Sequence, residues 1–109
     1  MSRTIPEKDW KLLRQLRPQL LNRFCGKVLV EAARIANDSK SASHERYLQL
    51  YGYTREQDRI LASPFDDHRR SNALIKLAII HSLDLLTDAE FAKFSEETRR
   101  MISSFNEPA

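Results

Sequence analysis

Apolar residues recur at helical spacing along most of this chain, in five separate stretches. The clearest stretch runs from about Pro18 to Ala36. Its apolar positions repeat every three or four residues: Leu20, Leu21, Phe24, Cys25, Val28, Leu29, Ala32, Ile35 and Ala36. This spacing puts the apolar side chains on one stripe of an α-helix. The pattern therefore predicts an amphipathic helix over these residues.

A shorter helix is predicted before it, from about Thr4 to Leu16. Thr4 and Glu7 have the spacing of a capping box, in which each side chain bonds the backbone N–H of the other residue. Pro18 is expected to end this helix, because the proline ring disfavours helical backbone at Arg17.

Two more helices are predicted on either side of Pro64. The third runs from Ser43 to about Ala62. The fourth begins at Asp66 or Asp67 and ends near Leu83. Apolar residues cover more than one face of the fourth helix, which predicts that it lies at the centre of the protein.

The fifth helix has the strongest start signal. Thr87 and Glu90 form a second candidate capping box. One apolar stripe then runs through Phe91, Phe94, Thr98, Met101, Ile102 and Phe105. These patterns together predict an all-α compact bundle of about five helices in a single domain over residues 1–109. The second, fourth and fifth helices are expected to form the core, and residues 1–4 and 106–109 to be disordered.

Composition agrees with a few long helices. The chain has only two glycines and four prolines, so tight turns between many strands are not expected. Gly26 lies inside the second predicted helix, where glycine costs about 1 kcal/mol relative to alanine. We interpret it as a place where another backbone passes close by.

The single cysteine, Cys25, excludes a disulfide within the chain. It falls on the apolar stripe of the second predicted helix, where a buried thiol is normally inert. A lone cysteine fits a reducing compartment. The N-terminus lacks the apolar segment of a signal peptide, and no apolar run is long enough for a membrane span. We therefore expect a cytoplasmic protein without a membrane partner.

The formal net charge of +3 is concentrated in the first 40 residues. Its asymmetry is mild and does not form the basic footprint of a nucleic-acid-binding protein. Nucleic acid is therefore not an expected partner.

Residues 66–71 contain the densest group of ionisable and polar side chains in the chain. If a helix begins at Asp66 or Asp67, then Arg69 and Arg70 lie in its first turn, where cations oppose the helix dipole. A structural interpretation is that an aspartate caps the helix and Asp66 pairs with Arg70. The alternative is a phosphate or carboxylate site at the helix N-terminus. Its ligands would be His68, Arg69, Arg70 and Ser71.

Other chemistry has less support. No histidine pair has a recognised metal-ligand spacing, and no glycine-rich phosphate loop is present. His81 is expected to be a half-buried histidine of the core. We therefore predict no catalytic residue, no metal ligand and no cofactor.

The tyrosines and arginines of the third helix are interpreted first as those of a core helix whose tyrosine hydroxyls point outward, then as an interface, and last as a nucleic-acid surface. Tyrosine and arginine are enriched where proteins meet. The apolar and aromatic positions that face several directions are Tyr47, Leu50, Tyr51 and Tyr53. Small helical domains often need a partner to cover surplus apolar area.

The sequence thus favours a non-enzymatic helical interaction module that forms a homodimer, with a different protein partner also possible. The alternative is an anion-binding protein that uses residues 66–71 to hold a phosphate or carboxylate metabolite or a nucleic-acid backbone. An enzyme ranks third.

Overall fold

A computed structural model describes residues 4–107 of the chain. Within this range the protein contains five α-helices and one 3₁₀ turn, and no strand. The predicted all-α bundle of about five helices is confirmed. The helices are α1 (Glu7–Ala36), α2 (Ser43–Phe65), α3 (Ala73–Ser82), α4 (Asp88–Ala92) and α5 (Glu96–Phe105), and the 3₁₀ turn (Arg70–Asn72) precedes α3.

The first two predicted helices are a single helix, α1. Pro18 lies inside α1, so the prediction that it ends a helix is wrong. Proline removes one backbone hydrogen bond from a helix. Leu13 and Leu16 before Pro18, and Leu20 and Phe24 after it, are all buried in the same core. Burial of these four side chains offsets the lost bond and keeps the helix continuous.

Helix α1 also begins later than predicted. Its N-cap is Pro6, so Thr4 is not the cap of the expected capping box. Asp9 is then the third helical residue, and its carboxylate turns into the core instead of back toward the helix start.

Helices α1 and α2 form an antiparallel hairpin. Residues 37–42 connect them, and Nη1 of Arg46 donates to the carbonyl of Ala36 at 2.7 Å. This bond places the start of α2 beside the end of α1. Helix α2 continues through Pro64 to Phe65, three residues past its predicted end.

The fourth predicted helix begins too early, because residues 66–69 form a loop. Asp66 is extended and Asp67 has a left-handed backbone with φ of 53°. Asn72 holds this loop, since its side chain accepts the N–H of Arg69 at 3.0 Å and donates to the Asp67 carbonyl at 2.7 Å. The α-helix therefore begins only at Ala73.

Helix α3 packs against α1, α2 and α5. Five of its ten residues are buried: Ala73, Leu74, Leu77, Ala78 and Ile80. The predicted central position of the fourth helix is confirmed.

The fifth predicted helix is divided into α4 and α5. Thr87 and Glu90 form the expected capping box, with bonds of 2.9 and 3.1 Å. The helix then stops, and Ser95 caps a new one by accepting the N–H of Thr98. Ser95 also bonds Asp9 of α1, which holds the chain in the capping conformation.

The core lies at one end of the hairpin, which we call the base. Buried apolar residues come from the first two thirds of α1, from Phe65, and from α3 to α5. The core therefore includes α1 residues that precede the predicted second helix. The other end of the hairpin, the tip, extends away from the core in a molecule of 53 × 28 × 27 Å. Apart from its two chain neighbours and the nearby backbone of its own helix, no atom of the described chain lies within 4 Å of a Cβ built on Gly26, so the close backbone predicted there is absent from residues 4–107.

The ends of the chain are only partly described. Residues 1–3 and 108–109 lie outside the described residues, so the disorder expected there stays a prediction. Asn106 follows α5 directly and donates to the carbonyl of Ala78 at 3.0 Å.

Candidate interaction surface

Charged and uncharged residues of α1 lie on opposite sides of the helix. Between Pro18 and Ala36 the charged residues recur at intervals of four and three positions, so they share one stripe. They are Arg23, Lys27, Glu31 and Arg34. The opposite side carries no charge over this length. Its residues are Pro18, Leu21, Asn22, Cys25, Leu29, Ala32, Ala33 and Ala36.

The charged stripe faces part of the protein itself. Arg23 holds Glu90 with a two-pronged ion pair of 2.7 and 3.2 Å, and also donates to the carbonyl of Leu85. Lys27 donates to the carbonyl of Asp84 at 3.2 Å. The segment between α3 and α4 therefore contacts the Arg23 and Lys27 part of the charged side, whereas Glu31 and Arg34 pair with each other at the surface.

The uncharged side of α1 is open and continues onto α2. A groove of about 220 Å³ runs between the two helices on this side, with Cys25 and Leu29 on one wall and Thr54 and Asp58 on the other. Helical spacing puts Tyr47 and Tyr51 on the same side of α2 as Thr54 and Asp58. We call the uncharged stripe of α1, together with Tyr47, Leu48, Tyr51 and Thr54 of α2, the open face.

The open face holds four of the seven large apolar side chains that are exposed in the described residues. Leu29 is 67% exposed, Tyr47 67%, Tyr51 59% and Leu48 52%. No charged residue occurs in α2 from Tyr47 through Thr54. Single exposed apolar residues are ordinary, but a contiguous patch on a small protein marks a surface that binds something.

The four interface residues expected from the sequence separate into two pairs. Tyr47 and Tyr51 lie on the open face. Leu50 and Tyr53 are only partly exposed, and helical spacing turns them toward α1. Leu29, Ala32 and Cys25 were not anticipated, because α1 was expected to bury its apolar stripe. Cys25 is in fact exposed, so the expectation of a buried thiol is wrong.

The candidate anion-site residues are brought together, but their cations already have acceptors. The guanidinium of Arg69 pairs with Asp67 at 2.7 Å, and Nε of Arg70 donates to the carbonyl of Ile5 at 3.2 Å. Asp66 is the C-cap of α2 and does not start a helix. The four residues lie on a loop and a 3₁₀ turn, so the α-helical N-terminus on which the anion site was based is not there.

His68 takes part in capping α2. The last carbonyls of α2 each accept a hydrogen bond from a basic side chain of a different element: Ser63 from Lys76, Pro64 from His68 at 2.6 Å, and Phe65 from Arg17 at 2.5 Å. Cations are favoured at a helix C-terminus. Burial lowers the pKa of His68, and the neighbouring charges of Arg17 and Lys76 lower it further, although the bond to Pro64 opposes them.

Asp9 is a buried charged residue that the sequence pattern did not single out. It accepts three hydrogen bonds: the N–H of Ser95 at 3.0 Å, the Ser95 hydroxyl at 2.6 Å and the Thr98 hydroxyl at 2.5 Å. Burial alone would raise the pKa of Asp9, but the bonds from Ser95 and Thr98 outweigh it and hold the pKa below its usual value. Since Asp9 is inaccessible and fully bonded, its role is to join α1 to α5.

Other candidate chemistry is dispersed. Residues 4–107 contain no cluster of three or more histidine, cysteine or acidic side chains that could hold a metal ion. His81 is half-buried, as expected, and stacks on Phe91 with ring centres 4.6 Å apart. No helix in the described range is both long and apolar enough to cross a bilayer.

Comparison with known proteins found no match to this chain among family models, curated protein sequences or solved structures.

Proposed function

We propose that this chain is a non-enzymatic interaction module that self-associates through the open face. The observation that carries the proposal is the reversed use of the two sides of α1. Arg23 and Lys27 of the charged stripe make contacts with distant parts of the chain, whereas Cys25, Leu29, Ala33 and Ala36 of the uncharged stripe face solvent. A helix pair needs a second layer to bury an apolar side.

A second copy of the chain is an occupant that the open face fits. Near the tip, tyrosines lie on α2 and alanines on α1, so this part of the face contains both halves of a complementary surface. A two-fold axis brings the same face of two copies together and satisfies both halves at once. No charge of the α1 stripe has to be buried in the process.

The size of the open face is that of a small interface. About 19 residues at 1.5 Å per residue and two helices about 10 Å wide give a strip of roughly 28 by 20 Å. Two copies would then bury roughly 1,100 Å², which lies at the small end of specific interfaces. We therefore expect dimers that form at micromolar concentration.

Anion binding has less support from the structure. The guanidinium groups of Arg69 and Arg70 are already used in contacts within the chain. An anion would have to compete with Asp67 and with the carbonyl of Ile5 for these donors.

Sedimentation velocity between about 1 and 100 μM tests the proposal. The wild type should change from monomer to dimer over this range, and Leu29→Glu and Tyr51→Glu should remain monomeric because each places a charge in the interface. Val30→Glu is a matched control. Val30 is 74% exposed and adjacent to Leu29, but it points about 100° away around the helix. Ile75→Glu on α3 is a second control, since Ile75 is also exposed.

Both control variants should dimerise like the wild type. A wild type that stays monomeric throughout would overturn the proposal. Equal loss of dimer in the Leu29 and Val30 variants would show that the open face is not the surface involved.

A further inference from the structure

The tip and base halves of the open face differ in the residues they present, and so do its α1 and α2 sides. Tyr47, Leu48 and Tyr51 stand on α2 near the tip. Ala32, Ala33 and Ala36 stand on α1, also near the tip. Toward the base, α1 instead presents Leu21 and Asn22, and α2 presents Arg55 and Asp58.

Two contacts identify which residues of α1 and α2 lie at the same position along the long axis of the hairpin. Arg46 bonds the carbonyl of Ala36 near the tip. Leu29 and Thr54 line the same groove further down. Because the helices run in opposite directions, Tyr51 is level with Ala32, and Tyr47 is level with Ala36.

We infer that two copies pack their hairpins face to face with both tips pointing the same way, so that α1 of each copy lies on α2 of the other. The inference rests on the proposed self-association. In this orientation Tyr51 of one copy lies over Ala32 of the other, and Tyr47 lies over Ala36. Alanines leave room for the two rings, and interior packing needs such a match of large with small.

The opposite orientation, with the tips pointing apart, fits poorly. A two-fold axis across the hairpins then lays α1 on α1 and α2 on α2, so the tyrosines of one copy lie over the basal half of α2 of the other, where Arg55 and Asp58 occupy the space. It also puts the alanines of one copy over the basal half of the other α1, where they meet Leu21 and Asn22 and not the tyrosine rings.

The resulting assembly is a four-helix bundle made of two hairpins. Neighbouring helices in such bundles lie 8–10 Å apart. Each α1 contacts α2 of its own chain and α2 of the other chain, so the two copies of α1 are diagonal to each other. Because the tips point the same way, the two bases also lie at the same end of the dimer.

Pulsed electron–electron double resonance, which measures the distance between two spin labels, tests the orientation. The label is placed on Lys11→Cys in a Cys25→Ser background. Lys11 is an exposed residue of α1 near the base. With tips together, the two labels of a dimer should lie roughly 15–30 Å apart, the diagonal of a bundle plus the label arms. With tips apart, they should lie on the order of 50 Å apart, because about 16 to 19 residues at 1.5 Å separate each label from the centre.

The same measurement on Lys40→Cys, at the tip, should also give a short distance. Sedimentation of each labelled protein shows whether the dimer is present. A dimer with a long Lys11 distance would overturn the orientation and leave self-association standing. If the labelled chain and the wild type both stay monomeric, the orientation and the proposed function are both overturned.

Discussion

Asp9 and Ser95 are 86 residues apart in sequence and are joined by two hydrogen bonds in the interior. Oδ1 of Asp9 accepts the backbone N–H of Ser95 at 3.0 Å, and Oδ2 accepts its hydroxyl at 2.6 Å. Ser95 is also the N-cap of α5. One buried carboxylate thus fixes the first turn of α1 to the start of the last helix.

Replacement of Asp9 should therefore destabilise the whole fold. Asp9→Ala leaves the donors of Ser95 and Thr98 unpaired, and such groups cost about 1–3 kcal/mol each when buried. We expect the free energy of unfolding to fall by roughly 2–4 kcal/mol in urea denaturation. Asp9→Asn keeps one acceptor oxygen and should cost less.

Glu7→Ala is the matched control for Asp9, because Glu7 is an exposed acidic residue in the same turn. It should change stability by well under 1 kcal/mol, as exposed surface substitutions usually do. If both alanine variants lost the same stability, the Asp9 contacts would not be what joins α1 to α5.

The ion pair between Arg23 and Glu90 should make stability depend on acid pH. The hydrogen bond from Arg23 outweighs partial burial and lowers the pKa of Glu90 to about 2. The ordinary value is 4.5, so the unfolded chain binds the proton more readily. The stabilisation is therefore complete above pH 4.5 and is lost as the pH falls toward 2.

Melting temperatures of the wild type and Glu90→Gln between pH 6 and 2 measure this effect. The wild type should be the more stable protein at pH 6, and the difference should shrink as the pH falls. A difference that stays constant over the whole range would contradict the pKa assignment. Glu96→Gln is a control, because Glu96 pairs with Arg100 on the exposed surface and such pairs contribute little.

Helical periodicity was enough to predict the fold class and the central position of α3. It was not enough to place the breaks between helices. Pro18 is a strong local stop signal, yet burial of residues on both sides of it keeps α1 continuous. The break before Ser95 has a local signal, a serine followed by Glu96 and Glu97 in the first turn, but the continuous apolar stripe through Phe94 and Thr98 concealed it.

The candidate surface was only half predictable for a similar reason. Tyr47 and Tyr51 can be recognised from the sequence because they are aromatic residues close to arginines, whatever they contact in the fold. The apolar stripe of α1 gives no such signal, because a stripe against the core and a stripe facing solvent have the same spacing. The contacts of Arg23 and Lys27, together with the burial of Leu20 and Phe24, show which side of α1 the rest of the chain covers.

The two glycines provide a prediction about the monomer. Apart from chain neighbours and the nearby backbone of their own helices, neither Gly26 nor Gly52 has any atom of the described chain within 4 Å of a built Cβ, and neither has a positive φ. Glycine costs a helix about 0.8–1.0 kcal/mol relative to alanine. Gly26→Ala and Gly52→Ala should each raise the free energy of unfolding by roughly that amount.

Urea denaturation at submicromolar concentration, where the monomer dominates, measures this gain. Ala33→Gly in α1 is the reverse control and should lose a similar amount, since Ala33 is also exposed. A loss of stability in Gly26→Ala would mean that an unfilled space beside Gly26 is needed even in the monomer.

Cys25 provides a built-in reporter of the open face. Its thiol is exposed and lies in the groove between α1 and α2. If a second copy covers this groove, the rate of alkylation by a maleimide should fall as the protein concentration rises through the micromolar range. Leu29→Glu should remove this concentration dependence, and Val30→Glu should retain it.

The same thiol should not form a disulfide between the copies. In the inferred bundle the two α1 helices are diagonal, roughly 14 Å apart for neighbours at about 10 Å. A disulfide needs Cα atoms within about 7 Å of each other. Air oxidation of the concentrated protein should therefore give little covalent dimer on a non-reducing gel, even while alkylation is slowed. Rapid and complete cross-linking through Cys25 would instead place the two α1 helices side by side and exclude the arrangement of α1 on α2.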